Sequence, residues 1–105
     1  MADREPLIQM AEDFGGPIIV GYTRPLFLGE DLAIEVRTLE DAGVRTVIEE
    51  TSSTSRTHLA AWLDQVIPGD TIVVTHMERL GGQITRVGIL IALRERSVVV
   101  RCLDG

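Results

Sequence analysis

The sequence predicts an α/β domain built on a mainly parallel sheet of four or five strands. Apolar β-rich runs alternate with segments of helical periodicity along the chain. The first of these runs is continuously apolar, which is typical of a parallel strand buried on both faces. At 105 residues and 45% hydrophobic content the chain can build one core and is too short for two. A single domain is therefore expected.

The first strand and the first helix open the domain. An apolar run predicts the strand at residues 17–23. Glu30 and Asp31 then supply the acidic residues that favour a helix N-terminus, and apolar residues recur at helical spacing behind them. Gly43 is the predicted stop of this helix. Residues 1–16 are predicted to be a short N-terminal extension that contains at most one marginal helix.

The middle of the chain predicts a second strand, a loop, a second helix and a third strand. Residues 44–49 form the strand, and the polar residues 50–55 form the loop. One face of the second helix carries the apolar residues Leu59, Trp62, Leu63 and Val66. A turn at Pro68-Gly69-Asp70 then leads into the third strand at residues 71–75.

The third helix, predicted at residues 83–94, is apolar around nearly its whole circumference. Such a helix is buried on more than one side. Because the sheet covers only one side, we expect the chain to self-associate through this helix. The last strand is predicted at residues 97–103.

The charge and the composition exclude several classes of function. The formal net charge of −6 has the wrong sign for a protein that holds DNA by bulk electrostatics. All ten basic side chains are arginine, so any phosphate contact must use a guanidinium group. Cys102 is the sole cysteine, and with only His58 and His76 beside it no metal-site spacing is present. No Walker or dinucleotide-binding loop follows a strand, so no cofactor is predicted.

The length of the apolar runs and the charge of the first residues predict where the protein is located. No run reaches the roughly 18 apolar residues of a membrane span, and the first five residues are too acidic to open a secretory signal. The expected location is the cytoplasm.

Four short segments resemble the catalytic domain of the small serine recombinases, the family of resolvases and DNA invertases. They are Gly21-Tyr22-Thr23-Arg24, Leu39-Glu40-Asp41-Ala42-Gly43, Pro68-Gly69-Asp70-Thr71 and Glu78-Arg79-Leu80-Gly81. They follow the family's order and approximate spacing across residues 17–105. The resemblance implies a three-layer resolvase-like domain in which helices flank the sheet.

The resemblance also locates an active site without its nucleophile. In the family a serine after the first strand attacks a DNA phosphodiester, and the matching position here is Leu26. A hydrocarbon side chain has no lone pair to offer phosphorus, so covalent catalysis at this position is excluded. Arg24, Arg56 and Arg79 match the arginines that the family aims at the scissile phosphate, and they are the predicted phosphate-binding residues.

Further departures from the family pattern fall on the same cleft, so no catalytic residue is expected. The vestigial cleft is predicted to consist of Tyr22, Arg24, Leu26 and Glu78. Glu78 stands where the family has an aspartate, Glu35 replaces a glutamine, and Gly82 replaces an arginine. Removing one preorganised donor from such a site costs about 10²–10³ in rate.

The charges of converging arginines must be offset. We expect Arg24 and Arg79 to share the cleft with a carboxylate, Glu78 or Glu50, or with a bound anion. Because the loop before Arg56 is shorter than in the family, this expectation covers Arg24 and Arg79 alone. The alternative interpretation is that Arg24 only forms an ion pair with a residue such as Glu78.

Three functions remain open from the sequence. The first is a catalytically inactive recombinase-like domain that acts as an accessory or regulatory protein through protein contacts, with itself or with an active recombinase. The second is a binding module for a phosphate-bearing ligand, and the third is an active recombinase with a rebuilt site. No helix-turn-helix domain is recognisable, so intrinsic DNA binding is expected to be weak or absent.

Overall fold

The computed structural model describes residues 17–104. The strands are β1 (Ile19–Thr23), β2 (Thr46–Glu49), β3 (Thr71–Val74) and β4 (Val99–Cys102). The helices are α1 (Ala33–Asp41), α2 (Thr57–Leu63) and α3 (Gln83–Glu95), with a one-turn 3-10 helix at Met77–Arg79 between β3 and α3. The predicted elements are all present, and the strands are one to three residues shorter than expected. The predicted extension at residues 1–16 lies outside the described residues.

All four strands are parallel, in the order β2-β1-β3-β4. β1 is paired on both sides, and Gly21 lies opposite Val47 of β2 and Val73 of β3. The continuous apolar run of β1 follows from this place, because a central parallel strand is covered on both faces. The predicted α/β class and parallel sheet are confirmed.

Helices cover the two faces of the sheet and produce three layers. Successive strand residues point to opposite faces. The larger core lies under α2 and α3 and contains Val20, Tyr22, Leu59, Trp62, Ile72, Val74, Leu80, Leu93 and Val98. On the other face, Leu39 of α1 packs with Val44 and Val73.

Gly21 allows α1 and the chain after it to approach β1 closely. A Cβ atom at this position would lie 3.0 Å from Val44 Cγ1 and 3.1 Å from Leu39 Cδ1. At the end of α1, Gly43 has a φ of 95°, a conformation that favours glycine, so the predicted helix stop is confirmed.

The strand order explains where side chains with chemical function gather. α1 leads from β1 to β2 on one face, whereas α2 leads back past β1 to β3 on the other, as right-handed crossovers require. The carboxyl ends of β1 and β3 therefore lie side by side where the strand order reverses, a common ligand position in open α/β sheets. Arg24 follows β1 and Arg79 lies in the 3-10 helix after β3, so both arginines come to this edge.

α3 keeps part of its apolar surface in contact with solvent in the single chain. Leu93 is fully buried, but Ile84, Val87 and Ile91 are 91%, 57% and 54% exposed. We name these three residues the α3 apolar face. Among residues 17–104, the predicted burial of α3 on more than one side is therefore not seen, and self-association stays a prediction.

Candidate functional site at the carboxyl ends of β1 and β3

Arg24 and Arg79 are the buried centre of the site, each only 7% exposed. They hold each other through the backbone: Arg24 Nε donates to the carbonyl of Arg79 at 3.3 Å, and Arg79 Nη1 donates to the carbonyl of Arg24 at 3.0 Å. The expectation that these two arginines lie together is confirmed.

Backbone carbonyl groups hold the guanidinium of Arg24. Nη1 donates to Ser53 O at 2.7 Å and to Pro25 O at 3.2 Å, and Nη2 donates to Glu78 O at 2.8 Å. Burial lowers the pKa of Arg24, and the nearby charge of Arg56 lowers it further. Arg24 thus fastens the segments that follow β1, β2 and β3 to one another.

Carboxylates hold the guanidinium of Arg79. Nη1 and Nη2 donate to the two oxygens of Glu30 at 2.7 and 3.0 Å, the bidentate geometry of a strong ion pair. Nε lies 3.1 Å from Glu35 Oε1 without forming a hydrogen bond. The hydrogen bonds with Glu30 raise the pKa of Arg79, and the bonds from Arg79 and from the Leu26 N–H lower the pKa of Glu30.

These contacts correct the expected source of negative charge. Glu78 is exposed and offers Arg24 its backbone carbonyl, not its carboxylate. Glu50 forms its hydrogen bonds with Tyr22 and the start of α2, although its charge still favours the charged form of Arg24, as that of Glu78 does for Arg79. Glu30 and Glu35 pair with Arg79 instead. From the sequence, Glu30 is predicted only at the start of a helix, and no spacing rule connects it with an arginine 49 positions away.

Glu35 joins the site to the sheet. Its Oε1 accepts hydrogen bonds from the hydroxyl groups of Thr75 at 2.6 Å and Thr23 at 3.3 Å. Thr23 is therefore engaged at the strand end.

Arg56 remains beside the other arginines despite the short loop before it. It is half-buried, and its Nε donates to Leu80 O at 2.9 Å and its Nη1 to Ser55 O at 3.2 Å. A Cβ atom at Gly81 would lie 3.1 Å from Arg56 Nη2, so the missing side chain at Gly81 leaves room for the guanidinium. All three predicted arginines come together at one edge of the sheet.

Tyr22 and Glu50 form a buried polar pair behind the arginines. The Tyr22 hydroxyl donates to Glu50 Oε2 at 2.9 Å. The same carboxylate, 3% exposed, accepts the backbone N–H groups of His58 and Leu59 at 3.0 and 2.9 Å and thereby caps α2. Burial and the neighbouring Glu50 raise the pKa of Tyr22. From the sequence, Glu50 is predicted in a polar loop, and no local pattern indicates that it caps α2.

Leu26 lies at the solvent-facing side of the site. Leu26 is 45% exposed, and the next two residues, Phe27 and Leu28, are also exposed. The backbone N–H of Leu26 donates a hydrogen bond to Glu30 Oε1 at 2.8 Å. The side chain at this position offers hydrocarbon, so it has no group that can attack phosphorus.

Two kinds of feature are absent from residues 17–104. No helix in this part of the chain is both long and apolar enough to cross a membrane. Among the same residues, no group of three or more histidine, cysteine, aspartate or glutamate side chains is placed to hold a metal ion.

Comparison with known proteins identifies relatives among DNA invertases. No family model matches the chain. It is 31% identical over 90 residues to a DNA-invertase of Enterobacteria phage P7 and 30% identical over 90 residues to a DNA-invertase of Escherichia phage P1. Each match covers 82% of this chain and 48% of the relative, so the chain spans about half the length of these relatives. With the parallel sheet and the arginines after β1 and β3, this similarity shows that the chain is related to the serine recombinases and has a resolvase-like fold.

Proposed function

We propose that this domain performs no covalent chemistry on DNA and acts as an accessory or regulatory component of DNA recombination through contacts with other proteins. The observation that carries the proposal is Leu26, an exposed hydrocarbon at the position that matches the family's nucleophilic serine. Transfer of a phosphodiester to the protein needs an oxygen nucleophile at that point.

The arginines also support the proposal. Stabilising the charge that develops on phosphoryl oxygens requires N–H groups aimed at the phosphate. Four N–H···O contacts of Arg24 go to carbonyl groups, and both terminal nitrogens of Arg79 donate to Glu30. Gly82, where the family has another arginine, adds no guanidinium group.

A trapping experiment on nicked DNA tests the absence of covalent chemistry. Neither the natural protein nor Leu26→Ser is expected to form a covalent adduct, because a restored hydroxyl still meets engaged arginines and Gly82. An intact recombinase serves as the positive control. An adduct with the natural protein would disprove the proposal, and an adduct with Leu26→Ser would show that the rest of the site is competent.

The α3 apolar face supports the part of the proposal that concerns protein contacts. Solvent-exposed apolar side chains one and two turns apart on one helix are typical of an interaction surface. Self-association through α3 is the first expectation, and pairing with an active recombinase is the second. Burying ~400 Å² of apolar surface per subunit would contribute about 10 kcal/mol before the costs of association.

Sedimentation with matched charge variants tests this contact. Val87→Glu should weaken self-association, because a carboxylate would enter the centre of the α3 apolar face. Ile34→Glu is the control, since Ile34 is also exposed but lies on α1. A monomer at high concentration would exclude self-association, and equal effects of the two variants would exclude α3 as the contact.

The three adjacent arginines favour one alternative, a module that binds a phosphate-bearing ligand through Arg24, Arg56 and Arg79. Affinity for non-specific DNA should still be low and should fall steeply with salt, because the net charge of −6 opposes the approach of DNA. Tight DNA binding that survives high salt, or that persists after alanine replaces Arg24 and Arg79, would contradict both ideas.

A further inference from the structure

The carboxylate of Glu30 lies where three N–H donors converge. Arg79 Nη1 and Nη2 donate to its two oxygens at 2.7 and 3.0 Å, and the Leu26 backbone N–H donates to Oε1 at 2.8 Å. A guanidinium fork holds the oxygens of phosphate or sulfate in the same bidentate way as it holds a carboxylate. The donors around Glu30 therefore have the geometry of an oxyanion site that is filled by a side chain of the same chain.

The charges around Glu30 show why the site would not stay empty. Arg79 and Arg24 are each 7% exposed, and the charge of Arg79 contributes to lowering the pKa of Arg24. Uncharged carbonyl oxygens hold Arg24. Without Glu30, Glu35 Oε1 still lies 3.1 Å from Arg79 Nε, and the charge of the exposed Glu78 also acts on Arg79. Removing Glu30 would leave less negative charge around the two arginines and would leave Arg79 Nη2 without its acceptor, and a replacement anion would supply both.

The position of Glu30 in the chain makes its displacement feasible. It belongs to the loop at residues 25–30, in which Leu26, Phe27 and Leu28 are all exposed. Within the loop, the Glu30 N–H donates to Phe27 O at 3.2 Å. Pro25 at the start of the loop is buried, whereas residues 26–28 after it are exposed, so the Glu30 fork is a principal tie between this exposed part of the loop and the site.

We propose that Glu30 closes an oxyanion site formed by Arg79 and the Leu26 N–H, and that a tetrahedral oxyanion enters when Glu30 is displaced. Inorganic phosphate and the phosphodiester of DNA share the required chemistry. The inference rests on the phosphate-ligand alternative above and adds the residue that regulates the site. It is independent of the trapping experiment, which tests only covalent chemistry.

Calorimetric titration with inorganic phosphate at constant ionic strength tests the proposal. Glu30→Gln keeps the shape of the side chain and removes its charge, so it should bind phosphate at least about tenfold more tightly than the natural protein. Glu40→Gln, an equal charge change at an exposed position of α1, should behave like the natural protein. Adding Arg79→Gln to Glu30→Gln should abolish the gain.

Two results would overturn the proposal: equal phosphate affinity in the natural protein and Glu30→Gln, or a gain that survives Arg79→Gln. A parallel titration with a short DNA duplex distinguishes the sources. If Glu30→Gln binds inorganic phosphate more tightly than the natural protein does, the ligand is a free oxyanion. If it binds only DNA more tightly, the ligand is a phosphodiester. Either result supports a site that Glu30 closes.

A measurement on the natural protein keeps the proposal testable if the variants do not fold. Phosphate competing with Glu30 should shift the NMR signals of the Arg79 Nε–H and the Glu30 carboxyl carbon together, with the same concentration dependence. A shift of the Arg79 signal alone, or no shift of either signal at saturating phosphate, would show that Glu30 does not close such a site.

Discussion

Replacing Tyr22 by phenylalanine removes one hydroxyl group from the buried centre of the domain. The aromatic ring keeps its place among the residues of the larger core. What is lost is the 2.9 Å hydrogen bond to Glu50. Glu50 then keeps the hydrogen bonds from the two backbone N–H groups at the start of α2.

The expected cost follows from the charge and the burial of Glu50. Hydrogen bonds to charged groups contribute about 1.5–3 kcal/mol, and an acceptor left short of partners in the interior costs as much. Glu50 is 3% exposed, so water replaces the lost hydroxyl poorly. We expect Tyr22→Phe to lower the free energy of unfolding by about 2 kcal/mol, and the Tm by roughly 8–16 °C in a domain of this size.

Urea and thermal unfolding followed by circular dichroism measure this change. Thr38→Val is the matched control, because it removes a hydroxyl whose hydrogen bond to Ile34 O lies on the exposed surface of α1. The control should remain within about 0.5 kcal/mol of the natural protein. If Tyr22→Phe also stays within that range, the Tyr22–Glu50 bond does not stabilise the fold and the argument from burial is wrong.

Two further predictions concern glycines and pH. Gly21→Ala should destabilise the domain by about 1–3 kcal/mol, because the added Cβ would lie 3.0 Å from a Val44 methyl and 3.1 Å from a Leu39 methyl. Gly88→Ala in α3, with open space around it, should stabilise the domain by about 0.5–1 kcal/mol. Equal effects of the two variants in urea unfolding would contradict the close packing at Gly21. The pKa of Glu30 in the folded protein lies below its ordinary value of 4.5, so its contribution to stability is complete above that pH and is lost as the pH falls through the folded value. Glu30→Gln should therefore flatten the acid side of the stability profile, and an unchanged slope would show that the Arg79 pair does not stabilise the fold.

The sequence by itself determined the fold class and the location of the site. Continuous apolar runs such as that of β1 require a strand covered on both faces, and Gly43 and the turn at residues 68–70 mark where the chain reverses. Once the strands are parallel and β1 lies beside β3, their carboxyl ends meet, and Arg24 and Arg79 come together. The fold class follows from local periodicity, which a sequence contains. The meeting of the two arginines was expected from the resemblance to the recombinases, and the strand order that places β1 beside β3 is a finding of the structure.

Only the tertiary structure decided which groups the arginines contact. Glu30, not Glu78, pairs with Arg79, and carbonyl oxygens hold Arg24. Partners in loops are set by the distance and direction of side chains from segments far apart in the sequence, and no periodic pattern encodes them. The cap of α2 by Glu50 could not be predicted for the same reason. The sequence shows that α3 is apolar around its circumference, but only the packing on the sheet decides which side of the helix stays exposed.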